Sequence, residues 1–401
     1  FVAAGIRGDD NSAFGNDFGF VYYPSASLSW VVGEEAWFPE LDFLSGLRLR
    51  TAFGTSGLRP GMRDAVTLYS PVTVALPDGD APGVALNALG NPQLEPEKST
   101  EIELGFDVGL FQDKLGIDFT YFNKKSKDAL ISRRLPGSLG LTTTVFANLG
   151  EIQNTGTELA VNWSAIQNET IGLNLGMTNT TLNNEVLELG EGVDDITLNR
   201  GQQRHKEGYS AGSFFQRPIS WDDADGNGLL TEEEVSVGDD VKFMGVALPE
   251  WTRTFFADIR LLDWITISTL IEGRGGHKQI DYTENFRCGF RSTRGCDAVG
   301  DPNASLEKQA AYIADRYLGS GAGYIYDADF YKWREFSVTF DMPSYVTDYV
   351  RQMDGLRVTF AGRNLAVWTD YPGLDPEANE GGGGDNFGQS EFNTQPPVRY
   401  F

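Results

Sequence analysis

The chain has 401 residues, enough for one large β-domain or for two to three domains of ordinary size. It carries 32 basic and 57 acidic residues, and the resulting net charge of −25 argues against nucleic acid as a partner, because phosphate binding requires clustered Lys and Arg. Every apolar run falls far short of the roughly 18 residues that a transmembrane helix requires. The 47 glycines and the 12% of aromatic residues favour strands and long loops over a helical bundle.

Apolar and polar residues alternate along most of the chain, starting with the first eight residues, which resemble a strand. The clearest case is 99–111, where apolar residues occupy one face and Glu, Gly and Asp occupy the other. Two such different faces indicate a strand that separates two solvents. The apolar faces of the main predicted strands are Phe20, Tyr22, Ala26, Leu28 and Trp30; Leu47, Leu49 and Phe53; Ile102, Leu104, Phe106, Val108 and Leu110; Leu115, Ile117, Phe119 and Tyr121; Leu159, Val161 and Trp163; Ile171, Leu173, Leu175 and Met177; Phe255, Ala257, Ile259 and Leu261; Phe336, Val338 and Phe340; and Leu356, Val358 and Phe360.

Short and long connections alternate between these strands. The short ones lie near 112–114, 166–169 and 262–263, and the long ones, rich in Gly, Asp and Asn, are 57–98, 127–152, 183–249, 276–326 and 368–395. Short turns at one end and long loops at the other are typical of outer-membrane barrels. The sequence therefore predicts an all-β fold, a transmembrane antiparallel β-barrel with about 12 strands in this chain. A soluble β-sandwich also has one apolar face per sheet, but its strands are usually shorter than the predicted ones.

The segment DADGNGLLTEEE, residues 223–234, matches the calcium loop of an EF-hand at every position. Gly228 stands at the sharp turn of that loop. The predicted ligands, which offer the hard oxygen atoms that Ca²⁺ prefers, are Asp223, Asp225, Asn227, Leu229 (through its carbonyl), Thr231 and Glu234. The preceding residues FFQRPISW do not have the pattern of an amphipathic helix, so we expect one calcium loop that stiffens the long loop 183–249. An acidic turn without an ion is the alternative.

The two cysteines, Cys288 and Cys296, lie close together in CGFRSTRGC. This spacing predicts a small disulfide-closed loop in an oxidising compartment. Two free thiols are the alternative, and a metal site is disfavoured because only His277 lies nearby.

No catalytic motif is present in the sequence. It lacks G-x-S-x-G, H-E-x-x-H and paired-cysteine metal signatures. The two histidines, His205 and His277, lie in charged, loop-like surroundings, and we expect both to be solvated. The sequence therefore predicts no enzyme.

Four blocks of the sequence resemble SusC/RagA-type TonB-linked outer-membrane receptors. They are NPQLEPEKSTEIELGFDVGLFQDKLGIDFTYFNKKSKDAL (91–130), NLGEIQNTGTELAVNW (148–163), YIYDADFYKWREFSVTFDMP (324–343) and LRVTFAGRNLAVWTDYPGLDPEAN (356–379). The resemblance implies a barrel of about 22 strands preceded by a plug domain. Because open strand edges cannot lie in hydrocarbon, residues 1–401 are expected to be the C-terminal half of such a barrel, without the plug and the N-terminal strands.

The resemblance also implies a function: TonB-dependent import of bulky nutrients, an oligosaccharide or a peptide, across the bacterial outer membrane. This chain would form barrel wall and extracellular loops. The implied partners are outer-membrane lipid, TonB through the N-terminal region, and a SusD-like lipoprotein. A passive porin and a secreted calcium-binding module for glycan binding or adhesion are the alternatives. The aromatic group Tyr324, Tyr326, Tyr331 and Trp333 could stack on a sugar or anchor the chain at the membrane interface; no substrate-binding residue is predicted.

Overall fold

The computed structural model describes residues 1–11, 20–134, 144–148, 150–190, 193–198, 201–289, 296, 298–343, 355–379 and 390–391. Parts of the predicted connections 127–152, 183–249, 276–326 and 368–395 lie outside these residues.

Eleven antiparallel strands form one large sheet, here termed the wall, and each is hydrogen-bonded to the next along the chain. Among the described residues the wall is open, with the first and last strands at its edges. The predicted all-antiparallel arrangement is confirmed, with eleven wall strands described where the alternation predicts about 12. Their bounds are β1 Val2–Asp9, β2 Val21–Val31, β3 Leu44–Leu58, β4 Glu97–Leu110, β5 Leu115–Lys127, β6 Glu151–Gln167, β7 Ile171–Glu188, β8 Trp251–Leu261, β9 Ile265–Gly275, β10 Phe330–Asp341 and β11 Arg357–Thr369.

The two faces of the wall differ in chemistry. One face, here termed the outer face, is apolar. On it, Phe106 of β4 stacks on Phe119 of β5 with ring centroids 5.4 Å apart. On the opposite, inner face, Arg50 of β3 forms ion pairs with Asp107, at 3.2 Å, and with Asp118. The one-residue alternation of a strand places these two groups on opposite sides of the same sheet.

The outer face leaves large apolar side chains uncovered. Leu104 and Phe360 expose 52% and 65% of their surface. An apolar surface that extends over many strands is stable only against another apolar medium, such as the interior of a lipid bilayer. Trp30, Trp163 and Trp264 lie near the short-turn ends of their strands, as expected of a membrane-interface girdle.

Connections of unequal length leave the two ends of the wall. The described short-turn end includes 32–43, 111–114, 168–170 and 262–264, and the long-loop end includes 59–96, 189–250 and 276–329. Strand β7 continues to Glu188, so residues 183–188 of the predicted loop 183–249 belong to the wall. The strand continues because Val186 pairs with Ile152 of β6 and is buried beneath the loops.

The long loops carry secondary structure of their own. Their short strands are Leu68–Leu76, Gly79–Ala88, Leu130–Arg134, Thr144–Asn148, Ile196–Leu198, Gln203–His205, Ser213–Gln216, Ile219–Trp221, Val235–Val237, Lys242–Gly245, Lys278–Asp281, Ile325–Asp327 and Ser390–Glu391. Their helices are α1 Tyr282–Gly289, α2 Leu306–Ile313, the π-helix Ala314–Leu318 and the 3₁₀ turns Glu232–Glu234 and Ala322–Tyr324; further 3₁₀ turns, Val32–Glu34 and Leu262–Trp264, lie at the short-turn end. In the described part of the chain, no helix has the length and apolar character needed to cross a membrane.

Helix α2 has a defined start and a defined end. Ser305 caps its N-terminus by accepting a hydrogen bond from the Lys308 amide at 3.3 Å. The following π-helix ends at Gly319, whose φ of 70° is a conformation that glycine adopts without strain. These two signals limit the helical segment to residues 306–318, which lie against the core formed by the long loops.

Candidate functional site

The loops 189–250 and 276–329 fold together into one unit, here termed the loop domain. Phe214 of the first loop and Ile280 of the second are fully buried and share one apolar cluster with Tyr282. A second cluster joins Leu230 to residues of α2. Because each cluster draws side chains from both loops, neither loop can bury its apolar surface alone.

The calcium-type loop 223–234 lies on the surface of the loop domain. Asp223 accepts hydrogen bonds from the amides of Asn227, at 3.1 Å, and Gly228, at 3.0 Å. Asp225 accepts from the Asn227 amide at 3.1 Å. The loop therefore folds around its acidic side chains, and Gly228 takes a φ of 79° that favours glycine at this turn.

The last predicted ligand, Glu234, reaches back over the same loop. It accepts hydrogen bonds from the amides of Ala224, at 3.0 Å, and Thr231, at 2.9 Å. These bonds and one from the Thr231 hydroxyl lower the pKa of Glu234. Carboxylate oxygens of Asp223, Asp225 and Glu234 lie within 4.8 Å of one another. The structure thus brings the three predicted carboxylate ligands together.

Gln309 of α2 ties the calcium-type loop to the core. It is buried, and its amide nitrogen donates to the carbonyl of Gly228 at 2.8 Å. Its amide oxygen accepts from the Leu230 amide at 2.9 Å. Sequence reasoning misses this residue, because a glutamine in a short helix gives no signal of its partners in another loop.

The structure joins Cys288, in α1, to Cys296 by a disulfide. Both cysteines are buried, and they form a small cluster with Ala298. The Glu284 carboxylate lies next to them, with one oxygen 3.6 Å from the Cys288 sulfur. A disulfide has no thiolate to offer, so in this state the group is a cross-link of the loop domain.

The expectation that the two histidines are solvated is wrong. His205 and His277 are both buried, each 4% exposed. His205 accepts a hydrogen bond from the Gly212 amide at 3.2 Å, and burial lowers its pKa to about 4. Burial also lowers the pKa of His277. Both are neutral structural residues at neutral pH.

The four aromatic residues 324, 326, 331 and 333 do not form one open platform. Tyr324 belongs to the apolar core of the loop domain. Tyr331 packs against Trp251 with ring centroids 5.7 Å apart, and Trp333 donates to the Thr269 hydroxyl at 2.8 Å on the wall. A different aromatic pair on the loop domain, Tyr209 and Phe243, lines a cavity of about 240 Å³.

A charged cluster fastens the segment 370–379 to the inner side of the wall. The Lys332 ammonium lies 2.6 Å from Asp375 and 2.8 Å from Glu377. Arg334 pairs with Glu377 at 2.6 Å and with Glu272 at 3.0 Å. Two strands of the wall and the segment that follows β11 therefore meet in one network of ion pairs.

These features are those of a lipid-facing wall with a charged inner face and a folded domain at its long-loop end. Residues 2–365 match the protein family described as "TonB dependent receptor-like, beta-barrel". The chain belongs to this family. It is thus a partial outer-membrane β-barrel, the long loops are extracellular, and the predicted fold class and location in the bacterial outer membrane are confirmed.

Curated relatives agree with this assignment. The chain is 25% identical to TonB-dependent receptor P3 of Formosa agariphila, over 93% of this chain and 40% of that receptor. It is 24% identical to the TonB-dependent receptor SusC of Bacteroides thetaiotaomicron, over 94% of this chain and 40% of SusC. The chain therefore spans about two fifths of the length of these relatives, and the predicted resemblance to SusC-type receptors is confirmed.

The fold is similar to a solved transporter. The structure of the RagAB peptide transporter superposes with a TM-score of 0.81 at 20% identity, over 99% of this chain and 44% of that chain. At this identity the likeness concerns the fold alone.

Proposed function

We propose that this receptor chain forms part of the wall and the extracellular loops of a TonB-dependent importer of bulky nutrients, an oligosaccharide or a peptide. The observation that carries the proposal is the charged inner face, where Arg50 joins Asp107 and Asp118 in a lipid-facing barrel wall. Such a face suits a water-filled lumen and a polar plug. RagAB is a peptide transporter by name, and it supports import as the role of this wall.

The wall requires further strands to form a closed barrel. Its edge strands β1 and β11 remain unpaired with each other in the described residues, and open edges in hydrocarbon would leave backbone groups without hydrogen bonds. We propose that strands outside residues 1–401 close the barrel around a plug that contacts TonB. A SusD-like lipoprotein over the extracellular loops would complete the importer, and lipid would cover the outer face.

Deletion of the receptor gene tests this function. We expect the deletion strain to lose growth on either defined oligosaccharides or defined peptides, and disruption of TonB to cause the same loss, because opening of the plug requires energy. Purified whole receptor in planar bilayers is expected to give no steady open-channel current. Growth that persists without TonB, together with a steady current, would identify a passive porin instead.

We further propose that the loop 223–234 binds one Ca²⁺. The three carboxylates and the amide oxygen of Asn227 are hard oxygen donors, and the sequence of the loop contains no Lys or Arg to neutralise them. A bound calcium ion would supply that missing positive charge. Because Gln309 joins this loop to α2, binding is expected to stabilise the loop domain rather than to trigger a conformational change.

Calcium removal is expected to loosen the calcium-type loop and α2 selectively. With Ca²⁺ at about a hundred times its dissociation constant, hydrogen exchange in 219–237 and α2 should slow about a hundredfold relative to receptor in EGTA. Glu234→Gln should abolish the difference, whereas the adjacent exposed Glu233→Gln should retain it. Equal exchange with and without calcium in the wild type would contradict the site.

A further inference from the structure

We propose that the outer face carries a binding site for a phosphorylated lipid of the outer leaflet, formed by Lys98, Lys125 and Lys127, here termed the lysine patch. This site follows from the register of β4 and β5 and from the height of the three side chains on the wall. It concerns the lipid-facing surface and does not depend on the transported nutrient.

The register places the lysine patch on the outer face. Ser99 and Ser126 are buried and share a hydrogen bond of 2.6 Å on the inner side of β4 and β5. The lysines alternate with these serines along the two strands, so they point outward. Lys98 stands directly opposite Lys127 in the antiparallel pair.

This arrangement concentrates positive charge in an acidic protein. Like charges directly opposite across two strands repel each other unless an anion lies between or beside them. Glu151 of β6 supplies one anion, at 3.1 Å from Lys125 and 3.3 Å from Lys127. Glu185 of β7 stands opposite Gln153 of β6 and is a further carboxylate on this face, two strands away from β5. Glu188 of β7 stands opposite Glu151 and is another carboxylate at this end of the strands. Glu151 pairs with Lys125 and Lys127, whereas Lys98 has no ion-pair partner in the described part of the chain, so the Lys98 ammonium is left to meet an anion.

The height of the patch matches the polar border of the bilayer. Lys125 and Lys127 lie about ten to twelve residues along β5 from Leu115 at the short-turn end. At about 3.4 Å per residue and a tilt of about 40°, this corresponds to a rise of about 26–31 Å. The apolar band of an outer-membrane barrel is about 25 Å tall. The ammonium groups therefore lie where lipid phosphates of the outer leaflet are found.

Apolar side chains directly below the patch favour a lipid over a free anion. Ile102, Leu104 and Tyr121 lie on the same face of β4 and β5 and expose 47%, 52% and 39% of their surface. Acyl chains would cover these residues while the phosphate meets the lysines. An ammonium near an anionic lipid surface contributes an attraction of the order of tenfold or less per lysine, so three lysines give a measurable preference.

Native mass spectrometry of the whole receptor with lipid A tests the site. Bisphosphorylated lipid A should remain bound to the wild type, and Lys98→Gln/Lys125→Gln/Lys127→Gln should weaken its binding at least tenfold. Lys124→Gln, which changes a lysine on the inner side of the same strand, is the matched control and should have less than a twofold effect. Replacement of the three lysines with arginine should retain binding, because it keeps the charge.

Three outcomes would overturn the proposal. The first is unchanged lipid A binding in the triple glutamine variant. The second is equal binding of lipid A that lacks its phosphates, which would show that only the apolar face holds the lipid. The third is full displacement by inorganic phosphate at equal concentration, which would show a site for free anions rather than for a lipid headgroup.

Discussion

Lys332→Ala is expected to release the segment 370–379 from the wall and to speed its hydrogen exchange by about a hundredfold or more. The Lys332 side chain is only 7% exposed and lies between two carboxylates. Removing one partner of a buried ion pair leaves uncompensated charge, which costs about 3–5 kcal/mol. Since about 1.4 kcal/mol corresponds to a factor of ten, the opening equilibrium should shift by at least two orders of magnitude.

A second lysine–aspartate pair provides the matched control. Lys278 lies 2.7 Å from Asp327, but that aspartate side chain is 73% exposed. Exposed pairs contribute about 0–1 kcal/mol, so Lys278→Ala should change local exchange by less than about fivefold. Equal effects of the two substitutions would show that burial of Lys332 does not matter and that the segment is held by other contacts.

The same cluster predicts a pH dependence. Burial alone would raise the pKa of Glu377, but hydrogen bonds and charges from Arg334 and Lys332 outweigh it and lower the pKa to about 2, from 4.5. Because the folded pKa is depressed, the stabilisation is fully present above about pH 4.5 and is lost as the pH falls toward 2. A shift of this size corresponds to about 3 kcal/mol. Exchange in 370–379, corrected for its intrinsic rate, should therefore rise over this window, and less steeply in Lys332→Ala.

The wall is the part of the fold that the sequence predicts well. Apolar residues such as Ile102 and Leu104 recur at every second position, because the medium on each side of the sheet, lipid or water, determines whether apolar or polar side chains face it. The alternation of short and long connections follows as well, because each strand crosses the membrane and successive connections therefore lie on opposite sides. The main error is at β7, where the predicted loop began at 183 although Val186 still pairs with Ile152.

The loop domain was not predictable in the same way. Phe214 is buried because Ile280 and Tyr282 of the second loop pack against it, and no local periodicity in the sequence predicts that contact. Lys332 has the pattern of an ordinary lumen-facing lysine, yet its partners are more than forty residues away. The calcium-type motif was visible because its ligands lie within 12 consecutive residues, whereas its anchor Gln309 belongs to the other loop.

Phe214→Ala should loosen both loops of the loop domain while leaving the wall unchanged. Phe214 is fully buried in the cluster that joins Ile280, Tyr282 and Tyr324 of the second loop. Removing a buried phenylalanine costs about 3–5 kcal/mol, because burial is lost and a cavity remains. Exchange in both 189–250 and 276–329 is expected to increase at least a hundredfold, with β4–β6 protected as before.

Phe243→Ala is the control for this substitution, since Phe243 belongs to the same short sheet but is 43% exposed. Its ring contacts Phe215 and Tyr209, and such aromatic pairs contribute about 0.5–1.5 kcal/mol each. We expect a smaller increase in exchange, confined to 203–216 and 242–245. If Phe214→Ala loosens only its own loop, the two loops fold independently. If both respond, the apolar cluster around Phe214 holds the two loops of the loop domain together.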